Sequence, residues 1–190
     1  GGSLAETASV ASFFVSRIDT EVDPRLEARA KGARPAEAER VRALLGKAAI
    51  ANAKLAYQTF RDAFATAGFA ALAARGAQVQ RPLWASTSTK NPAYPDLLYA
   101  EALVGPDTVD TMPPATLAAF RDHGRVSPRA VMDGLDEARD VLRRLGPAGV
   151  RLDEVTALLL DKGVQAFADS FTQLLASIDK KRAAAAAAPR

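Results

Sequence analysis

The chain has 190 residues, with 25 Lys and Arg against 22 Asp and Glu, a pI of about 9.4 and no cysteine. That length suffices for a globular domain with its own core, and a net charge of +3 with interspersed signs argues against nucleic-acid binding. The lack of cysteine excludes disulfides, zinc–cysteine clusters and a thiol nucleophile, and no apolar run nears the roughly 20 residues that cross a bilayer, so a cytoplasmic protein is expected.

The sequence opens at Gly1 without a methionine and is inside an apolar segment by Ser9, which reads as a fragment entered in mid-domain. The stretch SVASFFVSRID, residues 9–19, is rich in valine and phenylalanine and predicts a buried strand. From Pro35 to Phe64 the residues Val41, Leu44, Leu45, Ala48, Leu55, Ala56, Phe60 and Phe64 recur at spacings of three and four. They predict one long helix, opened by Pro35, interrupted at Gly46 and stopped by Gly68.

A second strand is predicted over 76–86, and residues 91–103 form a polar loop leading into a short helix. Residues 106–112 read as a short strand, after which Pro113 and Pro114 open a helix that Gly124 closes. Two further periodic stretches, Arg129 to Leu145 and Leu152 to Ile178, predict helices, the second broken at Gly163. The alanine-rich end, residues 179–190, is low-complexity and is expected to be frayed.

Strands alternating with helices imply βαβ units and a parallel sheet, whose chemistry would sit at the strand C-termini and in the loops that follow. Three segments qualify: SFFVSR, ASTSTKNP and DTMP. The second is the oddest, because a strand-like LWA runs into hydroxyls, Lys90, Asn91 and Pro92, a set of donors suited to an anion.

The stretches SVASFFVSRIDTEVD, GKAAIANAKLAYQTF, VQRPLWASTSTKNPAYPDLLYAEALVGPDTVDTMPPATL and GVQAFADSFTQLL resemble, in order and spacing, the C-terminal part of bacterial transaldolases. The resemblance implies a C-terminal portion of a (β/α)8 TIM barrel over 1–178. The predicted strands would be its sixth, seventh and eighth, and residues 179–190 an appended tail. It implies transfer of a dihydroxyacetone unit between sugar phosphates in the pentose phosphate pathway, without metal or organic cofactor. The partners implied are fructose 6-phosphate, sedoheptulose 7-phosphate, erythrose 4-phosphate and glyceraldehyde 3-phosphate, with no nucleic acid and no membrane.

The resemblance also assigns residues. Arg17, Ser86 and Lys90 match positions that hold the sugar phosphate, and Ser12 and Phe14 match positions lining the pocket beside the reacting carbons. Some transaldolases carry an arginine where this chain has Ser88, so the cationic role falls to Lys90. Without the family, Arg17 would read as a solvated or structurally paired side chain, Ser12 and Phe14 as core, and STST as a turn capping the next helix. Thr87 and Thr89 stay with that turn, Trp84 is expected to pack, Asp110 fits either role, and His123 sits where a helix dipole favours partial charge.

Transaldolase chemistry needs a lysine that forms a Schiff base with the ketose, on the fourth strand, and acid–base carboxylates on the first and third. None of these is expected in this sequence, and no catalytic residue is assigned. Lys47 and Lys54 fall in the long helix, Lys31 precedes it, and Lys90 lies on the phosphate loop. Two functions follow: a transaldolase part that acts with a complementary N-terminal half, or a non-enzymatic remnant that binds phosphate or self-associates through exposed apolar surface.

Overall fold

A computed structural model describes residues 3–187 and divides the chain into two compact units, one ending at Leu152 and one beginning at Asp153. The first holds a parallel three-stranded sheet in the order β1 (Ser9–Phe14), β2 (Gln80–Ala85) and β3 (Val109–Asp110). Its register pairs Phe13 with Trp84 and Trp84 with Asp110, so these three side chains share one face. The rings of Phe13 and Trp84 meet edge to face at 5.8 Å, and the buried indole N–H donates to the Leu103 carbonyl at 3.0 Å.

The expected strand through Asp19 ends at Phe14, and Ser16–Lys31 form helix α1. Its buried stripe of Ile18, Val22, Leu26 and Ala30 repeats every four residues, but Asp19 and Asp23 on the same side disguise the pattern. Pro24 inside α1 removes one intrahelical bond, to the carbonyl of exposed Thr20, which solvent can reach.

The single helix expected from Pro35 to Phe64 is two. Helices α2 (Pro35–Arg42) and α3 (Ala48–Phe64) are separated by a turn in which Gly46 adopts φ +69°. The buried face of α3 is Ala48, Ala49, Ala51, Ala53 and Tyr57 rather than the predicted Leu55, Ala56, Phe60 and Phe64, which stay half-exposed. Alanine there lets α1 and the later helix α7 (Leu135–Leu145) approach α3 closely. Gly68 does not stop α3. It lies inside α4 (Ala67–Ala73), which starts where the Thr66 side chain accepts the Phe69 amide.

The helix predicted within 91–103 is α5 (Leu98–Ala102), and α6 (Pro114–His123) opens on proline and closes at Gly124 as expected. Of the stretch from Arg129, only α7 is α-helical, after a 3-10 turn at Ala130–Met132 and Gly134 at φ +66°. In α8 (Leu152–Ala187) the chain passes Gly163 without a break and the alanine run continues the helix, as suits the residue with the highest helix propensity. Residues 188–190 of the expected frayed end lie outside the described residues.

Trp84 is the largest fully buried side chain and carries both an aromatic contact and a hydrogen bond. Trp84→Phe is expected to lower stability by about 2–3 kcal/mol through the cavity and the orphaned Leu103 carbonyl. Urea unfolding followed by circular dichroism measures this.

Candidate functional site

The face of β1 opposite Phe13 carries Ser12, which is exposed, and Phe14, which is half-buried. Past Phe14 the ladder continues, as Val15 N–H donates to the Ala85 carbonyl at 2.8 Å and Ser16 N–H to the Ser86 carbonyl at 3.1 Å. The two serine hydroxyls close to 2.8 Å, and Ser16 is buried. Ser86 is held at φ +59°, a left-handed conformation costing about 1–2 kcal/mol that persists where neighbours over-determine it.

Arg17 stands in the first turn of α1, with its guanidinium carbon 4.2 Å from the centre of the Phe14 ring. The N-cap Val15 offers no side-chain acceptor, so the positive end of the helix dipole points past these residues without a capping oxygen. The structure thus gathers Phe14, Arg17 and Ser86 at the ends of neighbouring strands, with Ser12 on the same face of β1 as Phe14. Lys90 is on the exposed loop beyond, where its Nζ donates to Ser88 at 2.7 Å.

Sequence reasoning missed Ser16, which joins the two strand ends, and nothing in a lone serine signals that role. It also misjudged Thr87. That residue does not cap the next helix: it is fully buried, donating to Asp110 Oδ1 on the neighbouring strand β3 at 2.8 Å. Asp110 faces the helix layer with Trp84, its Oδ2 has no partner among the described residues, and burial raises its pKa.

Two further carboxylates lie beneath the loops. Buried Asp19 accepts the Ala49 amide at 2.7 Å and the Tyr99 hydroxyl at 2.9 Å. Asp23 accepts the Gly46 amide at 3.1 Å and the Tyr94 hydroxyl at 2.7 Å. Burial pushes the Asp19 carboxyl up to about 7, and the Asp23 charge adds to this while the Ala49 amide and the Tyr99 hydroxyl oppose it. Burial raises Asp23 too, and both tyrosines are pushed up by burial and by their carboxylate partners. Among the described residues no group of three or more His, Cys, Asp and Glu could hold a metal, and no helix is long and apolar enough to cross a membrane. His123 is exposed at the end of α6, between Asp122 and Asp96, whose hydrogen bonds raise its pKa.

Parallel strands followed by helices, with an arginine, hydroxyls and a helix N-terminus gathered at the strand C-termini, define an α/β protein with a parallel sheet. The sequence profile of the Transaldolase/Fructose-6-phosphate aldolase family matches residues 3–178. A transaldolase of Frankia alni is 51% identical over 178 residues, covering 94% of this chain and 46% of that protein. Transaldolases of Parafrankia sp. and Renibacterium salmoninarum are 49% and 48% identical, covering 98% and 92% of this chain and 48% and 45% of theirs. The chain belongs to the transaldolase/fructose-6-phosphate aldolase family, and its sheet is a C-terminal portion of a (β/α)8 barrel. It spans about half the length of these relatives.

The Asp19 carboxyl generates a pH prediction. Its pKa is raised from 3.8 to about 7 in the fold, so between those values the folded chain keeps a proton that the unfolded chain releases. Its contribution is therefore fully present below pH 3.8 and is lost as pH rises through about 7. Unfolding free energy is expected to fall by up to about 4 kcal/mol across that window, and Asp19→Asn should flatten the slope. Denaturant titrations at a series of pH values read both.

Proposed function

We propose that this chain supplies the phosphate-binding side of a transaldolase that moves a dihydroxyacetone unit between sugar phosphates through a Schiff base. The observation carrying this reading is the grouping of Arg17 and Ser86, joined through Ser16, at the mouth of two adjacent strands beside an uncapped helix N-terminus. A guanidinium offers paired donors to phosphate oxygens, the dipole of α1 adds favourable potential, and the Ser86 hydroxyl fixes orientation. Lys90 contributes a second cation from its loop. Ser12 hydrogen-bonds the sugar, and the Phe14 ring keeps water from the reacting carbons.

The substrates are those of the family: fructose 6-phosphate, sedoheptulose 7-phosphate, erythrose 4-phosphate and glyceraldehyde 3-phosphate. Strands β1, β2 and β3 contain no lysine. Lys54 is committed to the Asp133 carbonyl at 2.7 Å, with its pKa lowered by burial, and it stands on α3 rather than on a strand. The nucleophilic amine and the acid–base carboxylates therefore come from a complementary N-terminal part of a cytoplasmic enzyme. Residues 1–178 form the barrel portion and 179–190 an appended tail.

A second reading, association without turnover, is favoured by one feature of α8. Leu160, Val164, Phe167, Phe171, Leu174 and Ile178 recur at alternating spacings of four and three, and each is at least half exposed. Such a stripe covers itself against another apolar helix. The purified chain is then expected to self-associate, and Phe167→Lys with Phe171→Glu should shift it toward monomer in sedimentation velocity. A strictly monomeric wild-type chain would remove this reading.

For the first reading, the chain by itself is expected to show no transaldolase turnover and no borohydride-trapped adduct with fructose 6-phosphate. A stoichiometric adduct on any of its lysines would overturn the assignment of the nucleophile. In a restored full-length barrel, Arg17→Ala and Lys90→Ala should each raise KM for phosphorylated sugars about tenfold to hundredfold. With dihydroxyacetone as donor the effect should be small. Equal losses with both kinds of donor would mean that these side chains support the fold instead.

A further inference from the structure

The loop between β2 and α5 is pinned at both ends by carboxylates. At its start, Thr87 donates to Asp110. At its far end, Tyr94 donates to Asp23 Oδ2 at 2.7 Å while Asp23 Oδ1 accepts the Gly46 amide at 3.1 Å. The Tyr94 ring lies so close over Gly46 that a Cβ there would come within 2.9 Å of its Cζ. Only glycine suits that spot, since its φ of +69° is also left-handed.

Between the pins, Asn91 folds the chain back through its Oδ1, which accepts the Ala93 amide at 3.0 Å, and its carbonyl, which accepts the Tyr94 amide at 3.1 Å. Lys90 immediately precedes this turn. Asp23 stands on α1, the helix that also presents Arg17, so one rigid element holds one cation and grips the loop carrying the other.

We propose that Asp23 and Tyr94 are positioning residues, which fix the β2–α5 loop against α1 so that Lys90 and Arg17 present to one phosphate. This rests on the phosphate reading above. A lysine on a loop without such a pin must be ordered at binding, and that cost is subtracted from affinity. Asp23 is nearly buried, so its role is to hold Tyr94 and not to meet the anion, which its own charge would repel.

The test uses the chain as it is, titrated with inorganic phosphate and followed by amide chemical shifts. In the wild type, phosphate should perturb Arg17, Ser86 and Lys90. Tyr94→Phe keeps the ring over Gly46 but removes the hydroxyl, and it should raise the phosphate Kd about threefold to tenfold and speed amide exchange over 88–93. Asp23→Asn should stay within about twofold of wild type, because its carbonyl can accept the Gly46 amide while its NH2 donates to the tyrosine oxygen. A structural role alone would lower the melting temperature of Tyr94→Phe and leave the Kd of the folded chain unchanged. If Lys90→Ala weakens binding and Tyr94→Phe does not, the positioning role is overturned and the phosphate site stands. If phosphate perturbs none of the three residues in the wild type, both fall.

Discussion

From inside the core, Asp19 accepts the Ala49 amide and the Tyr99 hydroxyl, so that one side chain joins α1, the start of α3 and α5. Helix α3 has no capping side chain of its own at Lys47, and the first-turn amides that lack an intrahelical partner would otherwise be buried unpaired. Asp19 supplies the acceptor from thirty residues earlier, and Asp23 does the same for the Gly46 amide in the preceding turn. Removing such an acceptor leaves a buried donor unpaired, a cost of about 1–3 kcal/mol that exceeds the gain from an ordinary surface bond. The layer of helices over the sheet is thus organised around polar contacts from α1 as much as around apolar burial.

The same helix determines what happens at the strand ends. Because α1 begins at Ser16, directly after the last ladder bonds of β1, the residues that leave the sheet are held by their neighbours on β2. Ser16 locks Ser86 through backbone and side chain together, which is enough to maintain a non-glycine residue in the left-handed region. Arg17 emerges at that point with its guanidinium over Phe14. A rigid origin for charged and hydroxyl groups is what recognition of a small anion requires, since flexible donors lose affinity to ordering.

Parallel sheets are ordinarily covered on both faces, and here the face of Phe13, Trp84 and Asp110 is the more covered one, with Pro82 and Trp84 buried on it. On the other face Val10 is 41% exposed and Ser12 is open to solvent. A closed barrel fills such a face with side chains from its other strands. The family assignment and the shape of the sheet therefore agree on physical grounds, since curling the sheet closed would bury this surface.

The sequence by itself determined the parallel α/β class, the positions of the three strand cores, and the proline-opened, glycine-closed helix α6, because period, β-branching and end signals are local properties. Its long motifs also sufficed for the family, since they preserve order and spacing over most of the chain. Helix α1 was hidden, because Asp19 and Asp23 occupy its buried side and read as polar until Ala49, Gly46, Tyr94 and Tyr99 come to meet them. Gly46 looked like a tolerated interruption and is a true boundary, whereas Gly68 and Gly163 looked like breaks and are not. Gly46 is set in its boundary by a positive φ, whereas Gly124 closes α6 at φ -65°, so a helix-ending glycine is recognised by its surroundings rather than by its presence in the sequence. Thr87, Ser16 and Tyr94 gained their roles only from partners at least twenty residues away in sequence. Short-range pattern cannot carry such contacts: a hydroxyl reads as a turn or a solvated group until the fold places a buried acceptor beside it.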